Sequence, residues 1–472
     1  MSAVEPAEGL QRGLASKAFG IIAKVVDALR GNDARALAQR MALIAFAVRV
    51  LSAAIAFVSQ IILARLMGEF EYGIFVFVWS LAVLFGNLSC FGFHSTIIRF
   101  LPGYGAAGAT AEIRGIMATV RIFAMGAATV LATVGLAGIW LAGDLIEDYY
   151  LVPLYLGIFL LPMIALGDVM EGTARAHSWA LRALSPTYIV RPLLILVFMM
   201  LFAASGEPHT AKIAMTAAMA ATYVTSVGQY ILLTRKLRRH YPRGPLAIDF
   251  ATWLKVAAPI FLIEGFGFLL TNSDVIVVGL YLDPESVAIY FAAAKTMALV
   301  QFVMFSVKAA SAPRFSAAMA EKDRGHLASI AVESARWAFW PSLGIGALVL
   351  LAGPFLLSLF GPAFHAGYPL MFILFTGMMA KALVGPAEAF LTMAGQQRLC
   401  AMLYATALII NVTLNVTLIP AFGLMGTAGA TAGAMVCEAL MLHLAVRRTF
   451  GITLFAFARL PAPSTSLKTG IS

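Results

Sequence analysis

Apolar stretches long enough to cross a bilayer recur near 41–67, 72–101, 115–141, 150–170, 185–204, 211–234, 252–281, 286–313, 332–358, 366–393, 398–419 and 425–447. The pattern predicts an all-α polytopic membrane protein with about twelve transmembrane helices. The polar loops between the stretches alternate in charge. One set carries Arg99 and Arg114, Arg175 and Arg182, "RKLRRHYPRG" at 235–244, Arg314, Lys322 and Arg324, Arg398, and finally Arg447 and Arg448. The other set reads "GEFEYG", "GDLIEDYY", "ASGEPHT", "LDPES", "FGPAFHAG" and "IPAFG", with acids and almost no Lys or Arg. Excess Lys and Arg marks cytoplasmic loops, so the alternation predicts both termini in the cytoplasm.

The chain also repeats itself. Shifted by 215 residues, "EYGIF" (71–75) lies over "SVAIY" (286–290), Arg99-Phe100 over Arg314-Phe315, and Arg121 over Arg336. Six spans per unit is an even number, so the two six-helix lobes form a parallel repeat about an axis along the membrane normal. The expected organisation is a cytoplasmic segment 1–40, an N-lobe 41–234, a basic cytoplasmic linker 235–250, a C-lobe 251–447 and a cytoplasmic tail 448–472. Within the first segment, residues 14–30 place Leu14, Ala18, Ile21, Ile22, Val25 and Leu29 on one helical face, which suits an amphipathic helix lying on the membrane surface.

Composition agrees. Of 472 residues 61% are hydrophobic and 12% charged, with mean hydropathy +0.89. A soluble domain carries about twice that share of charge. Cys90, Cys400 and Cys437 lie in apolar segments and read as packing residues. The segment "GYGAAG" at 103–108 follows a membrane helix rather than a strand, and no Walker A motif occurs, so an ion or substrate gradient is the expected driving force.

Three segments carry a family resemblance. "ILARLMGEFEYGIF", "TNSDVIVVGLYLDPESVAIYFAAAK" and "AGQQRLCAMLYATALIINVTLNVTLIPAFGLMGTAGAT" resemble the opening of each half and the closing region of bacterial polysaccharide exporters. These are the oligosaccharide flippases of the multidrug/oligosaccharidyl-lipid/polysaccharide exporter superfamily, and the likeness spans roughly 41–447. It implies a two-lobed alternating-access transporter of the bacterial inner membrane, not an enzyme. The implied substrate is a polyprenyl-pyrophosphate-linked oligosaccharide destined for surface polysaccharide. Membrane lipids and a polymerase or glycosyltransferase are the implied partners. No nucleic acid, metal or cofactor is expected beyond H+ or Na+ as coupling ion. An ion-coupled drug/cation antiporter of the same superfamily is the alternative within transport. A membrane-embedded glycosyltransferase or polymerase is the alternative from another class, although the acidic loops are short for one.

Charges inside the spans are the candidate machinery, because each is costly to bury in lipid. Arg49 and Gln60 share a face of the first helix. Asn87 and His94, seven apart, are expected to share a face of the second. Arg191, Lys295 and Lys308 are candidate contacts for pyrophosphate, with Arg49, Gln60 and His94 completing the central cavity. Glu264, Asn272, Asp274, Lys381 and Glu388 are candidates for coupling or gating. The repeat sets Glu264 at the place of Arg49, which makes the two a candidate pair across the lobes. Asp274 also matches the family's recurrent aspartate; its alternative, structural reading is an interhelical bond that holds Asn272 and Ser273 in a local irregularity. Lys381 and Glu388 are spaced for a pair on one helix face, and Arg65 for an interfacial anchor or a partner to Glu69.

Overall fold

The computed structural model describes residues 34–321 and 324–459, with side chains from Val48 onward, Arg49 and Ala320 apart. The amphipathic segment 14–30, the end of the tail and the Arg49 side chain lie outside the described residues.

In lipid every backbone N–H and C=O needs an internal partner, and the described elements are helical throughout. The N-lobe comprises α1 (Ala34–Leu88), α2 (Phe93–Ala106), α3 (Thr110–Leu141), α4 (Asp148–Ala176), α5 (Ala180–Ser185), α6 (Arg191–Ala204) and α7 (Ala211–His240). The C-lobe comprises α8 (Phe250–Tyr281), α9 (Pro284–Met297), α10 (Gln301–Glu321), α11 (Arg324–Leu351), α12 (Gly353–Phe360), α13 (Tyr368–Val384), α14 (Ala387–Met393) and α15 (Gln397–Phe450). A π-turn at Pro186–Val190 joins α5 to α6, and a 3-10 turn at Ala298–Val300 joins α9 to α10.

Two of these are helical hairpins. The Tyr72 hydroxyl reaches the Gln60 amide at 2.8 Å, whereas twelve residues of straight helix would hold them about 18 Å apart. The chain reverses at Gly68, with φ 75°. Likewise α15 reverses at Gly423, φ 55°, bringing Gly433 back against Leu414. With both hairpins counted as two crossings, the described residues make twelve in two lobes of six.

The sixth crossing, α7, is less apolar than its neighbours. Its alanines do the packing: Ala211, Ala214, Ala217, Ala218 and Ala221 are all buried. Small side chains let it lie close to α4, whose Gly157, Ala165 and Gly167 are buried in turn.

The lobes meet along α1, α2, α8 and α9. At the acidic-loop end, Gly73 lies so close to the Pro284 carbonyl that a Cβ would collide with it. Tyr72 packs edge-on against Phe291 and Phe364, and Phe57 against Phe360. At the basic-loop end the lobes touch through α2 and α8, where Trp253 Nε1 donates to the Tyr104 hydroxyl at 3.0 Å.

Candidate functional site

A cavity of about 630 Å³ lies under the acidic-end closure. Its lining runs from Phe57, Gln60, Trp79 and Val83 of the N-lobe to Lys308, Glu388 and Leu442 of the C-lobe. Helix α8 supplies Asn272 and Asp274, the α9–α10 segment Lys295, Gln301 and Lys308, and α13 Lys381. Of the residues singled out from sequence, Gln60, Lys295, Lys308, Asn272, Asp274, Lys381 and Glu388 therefore gather in one space. His94, Arg191 and Glu264 stand apart from it.

Asp274 is buried, and its carboxylate accepts from the Tyr290 hydroxyl at 2.7 Å and from the Val275 amide at 2.9 Å. The Tyr290 proton is thereby committed, so the Thr431 hydroxyl at 3.1 Å is the donor to Tyr290 oxygen. Ser273 donates to Asn411 at 3.2 Å, and Asn415 donates to the same Asn411 oxygen at 3.2 Å. These bonds tie α8, α9 and both arms of α15 together. The interhelical bonds of the structural reading are present without its local irregularity: α8 runs unbroken through Asn272 and Ser273, and Asn272 donates to the Phe268 carbonyl four residues back.

Among the described residues the cavity holds three lysines and three acids. Lys308 pairs with Glu388 at 2.7 Å and Lys381 with Glu438 at 2.8 Å. The expected Lys381–Glu388 pair does not form. Helix α13 ends at Val384, and Gly385 (φ 66°, ψ −154°) and Pro386 turn the chain before α14 begins, so the seven-residue spacing no longer means a shared face. Lys295 forms no ion pair among the described residues. Its ammonium lies 4.9 Å from the centre of the Phe291 ring, a cation–π contact that leaves hydrogens free for an acceptor.

A second polar cluster sits at the α1–α2 junction. Helix α1 ends at Leu88, and Phe91 (φ 46°) and Gly92 (φ 73°) bend the chain before α2. Asn87 and His94 consequently do not share a helix face. Asn87 donates to Asp168 at 3.1 Å, while His94 Nε2 lies 3.2 Å from Glu264 across the lobe boundary. Ser95 donates to the other Glu264 oxygen at 2.7 Å. Among the described residues the groups found on Glu264 are thus His94 and Ser95, and the Arg49 half of the candidate pair lies outside the described side chains. Half-buried Arg191 lies over the Trp79 ring at 5.4 Å and within electrostatic reach of Asp168.

Sequence reasoning passed over Glu438 and Asp168, and it gave Arg65 another role. Both acids are single charges in apolar runs, "AMVCEAL" and "IALGDVM", which was the available signal. Arg65 is neither a plain interfacial anchor nor bonded to Glu69. It donates across the lobes to the carbonyls of Leu359 at 2.6 Å and Ser358 at 2.5 Å, at the end of α12, where carbonyls have no helical partner. It acts as a latch beside the acidic-end closure.

The family of polysaccharide biosynthesis proteins matches residues 39–319, more than half of the chain. This chain belongs to that family. The MatE family matches 259–417, so this polysaccharide biosynthesis protein is a transporter of the multidrug/oligosaccharidyl-lipid/polysaccharide exporter superfamily. Solved structures share the fold. One is an inward-facing multidrug resistance MATE family transporter, with 16% identity, 85% of this chain and 93% of that chain covered, and TM-score 0.64. Another is the lipid II flippase MurJ in an inward closed conformation, with 13% identity, 86% and 87% covered, and TM-score 0.67. A superfamily transporter from Pyrococcus furiosus, described as having a binding pocket of reverse polarity, aligns over 91% and 98% of the two chains at 16% identity and TM-score 0.59. No curated protein matches the chain.

Proposed function

We propose that this transporter flips a polyprenyl-pyrophosphate-linked oligosaccharide from the inner to the outer leaflet of the bacterial inner membrane, for surface polysaccharide assembly, with both termini in the cytoplasm. The observation that carries the reading is Lys295: a cation on the cavity wall whose neighbouring carboxylate, Asp274, is already engaged by Tyr290. Pyrophosphate is the anion such a group would hold, by a charge-assisted hydrogen bond. The cavity is closed at the acidic end and lined down to half-exposed Lys308 and Glu388 at the other, which suits loading from the cytoplasmic leaflet. The His94–Glu264 contact bridges the lobes, so binding of H+ or Na+ there would bias their separation. No catalytic step is assigned to the chain.

A drug/cation antiporter is the second reading, favoured by the MatE match and by the cavity acids Asp274, Glu388 and Glu438. One experiment separates the two. Deletion of the gene should leave lipid-linked glycan in the inner leaflet, and wild type but not Lys295→Ala should restore outer-leaflet exposure. Unchanged lipid-linked glycan in the deletion strain, with drug efflux lost, would replace the flippase reading by the antiporter.

A further inference from the structure

The third helix of each lobe carries one arginine at the same repeat position, Arg121 in α3 and Arg336 in α11. In the C-lobe the chain after α15 turns back and lies along the bundle. Ala456 N–H bonds the Leu383 carbonyl at 2.9 Å, and His443 contacts the Leu454 carbonyl at 2.9 Å. Arg336 closes on this strap: Nε donates to the Ala456 carbonyl at 3.1 Å and Nη2 to the Ala458 carbonyl at 2.8 Å. In the N-lobe the corresponding chain, the linker after α7, stays at the basic end. Arg114 holds it there by bonds to the Pro245 and Pro242 carbonyls at 3.0 and 3.1 Å. Arg121, two turns deeper, is left without its strap. Its Nε and Nη2, the same two atoms, are buried and have no acceptor among the described residues.

The surroundings of Arg121 tell what acceptor would fit. It faces the Tyr230 ring of α7 at 5.7 Å. One turn on, Thr234 Oγ1 is buried and has no partner among the described residues, although Thr222 and Thr225 of the same helix bond the carbonyl four residues back. One turn further, Arg238 is within electrostatic reach of Arg121. Arg121 and Thr234 thus present orphaned donors beside the exposed Arg238 guanidinium, and buried donors of this kind carry a substantial cost until bonded. Around them the helix surfaces are apolar and exposed, at Ile122, Val227 and Ile231. Thr234 and Arg238 lie about 9 and 3 Å from the basic end of α7, the depth of lipid headgroups on that side.

We propose that the groove between α3 and α7 binds the phosphodiester of an anionic phospholipid from the leaflet on the basic side, with its oxygens on Arg121 Nε and Nη2 and on Thr234. Charge-assisted pairing to a planar guanidinium supplies the same geometry that the strap carbonyls supply to Arg336. The flanking apolar surface takes the acyl chains, which a free phosphate ion would leave bare. The site is outside the central cavity and independent of the transported substrate.

The test uses the purified full chain in detergent. Native mass spectrometry reads retained phosphatidylglycerol, and thermal unfolding reads protection by added phosphatidylglycerol, phosphatidylcholine or inorganic phosphate. Phosphatidylglycerol should be retained and should protect more than phosphatidylcholine. Arg121→Gln should weaken its binding about tenfold or more, the loss expected for a charge-assisted hydrogen bond. Thr234→Val, which keeps the side-chain shape, should weaken it less, and it serves in place of Arg121→Gln if that variant does not fold. Folded variants that retain phosphatidylglycerol like wild type would overturn the proposal. So would protection by inorganic phosphate that phosphatidylglycerol does not match, which would mark a free-anion site.

Discussion

Lys381 illustrates what a single side chain does here. Glu438 is 2% exposed, and both of its oxygens lie within 3.0 Å of the Lys381 ammonium. Replacing Lys381 by Met leaves a buried carboxylate unpaired, at a cost of about 3–5 kcal/mol. Adding Glu438→Gln removes the stranded charge and should recover a large part of the loss. Thermal unfolding of the two single variants and the double variant in detergent measures the coupling, and strictly additive losses would show that the pair is not a unit. The charges themselves were legible in the sequence, because a lysine or glutamate in an apolar run is conspicuous. Their pairing was not. Glu438 lies 57 residues from Lys381, and only the packing of α13 on α15 brings the two together.

At the scale of the element, helix breaks decided which spacings meant contact. Twelve crossings could be read from hydropathy and loop charge because the bilayer imposes length and backbone satisfaction on each. The interruptions inside them are set locally. Gly385 is one: at φ 66° an alanine would be strained, and its Cβ would lie 2.7 Å from the Ala335 backbone on α11. Gly385→Ala should cost about 1–3 kcal/mol for the backbone conformation, and more for the contact. It should also turn α14 and so displace Glu388 from Lys308. Gly344→Ala, in helix with nothing within 4 Å, is the matched control and should be neutral or slightly stabilising. The comparison is read as unfolding midpoints of the two variants; equal midpoints would mean that the α13–α14 turn is not needed. "VGPAEAF" did display its break, since Gly-Pro is a turn signal. The Asn87–His94 break was less visible, carried by Phe91 and Gly92 with no proline.

For the whole molecule the question is which aqueous side reaches the cavity. Closure at the acidic end combines the Arg65 latch, the Gly73–Pro284 contact and the ring of Phe57, Phe360, Phe364 and Tyr72. Gln60 lies directly beneath, on the cavity wall, with its amide held by Tyr72. In a background with Cys90, Cys400 and Cys437 replaced, Gln60→Cys is a reporter of access. A membrane-impermeant thiol reagent should label it from the basic-loop side and poorly from the acidic-loop side. Adding Arg65→Ala removes two inter-lobe hydrogen bonds, each with a charged donor and worth about 1.5–3 kcal/mol. An equilibrium that already exchanges the two openings would shift by that amount, so labelling from the acidic-loop side should rise about tenfold or more. The lobes would then behave as rigid bodies that rock about α1, α2, α8 and α9. Strong acidic-side labelling in the parent, or no response to Arg65→Ala, would mean that the observed closure does not control access. The same labelling, done in sealed vesicles of known orientation, also decides whether the basic loops face the cytoplasm, the premise on which loading from the inner leaflet depends.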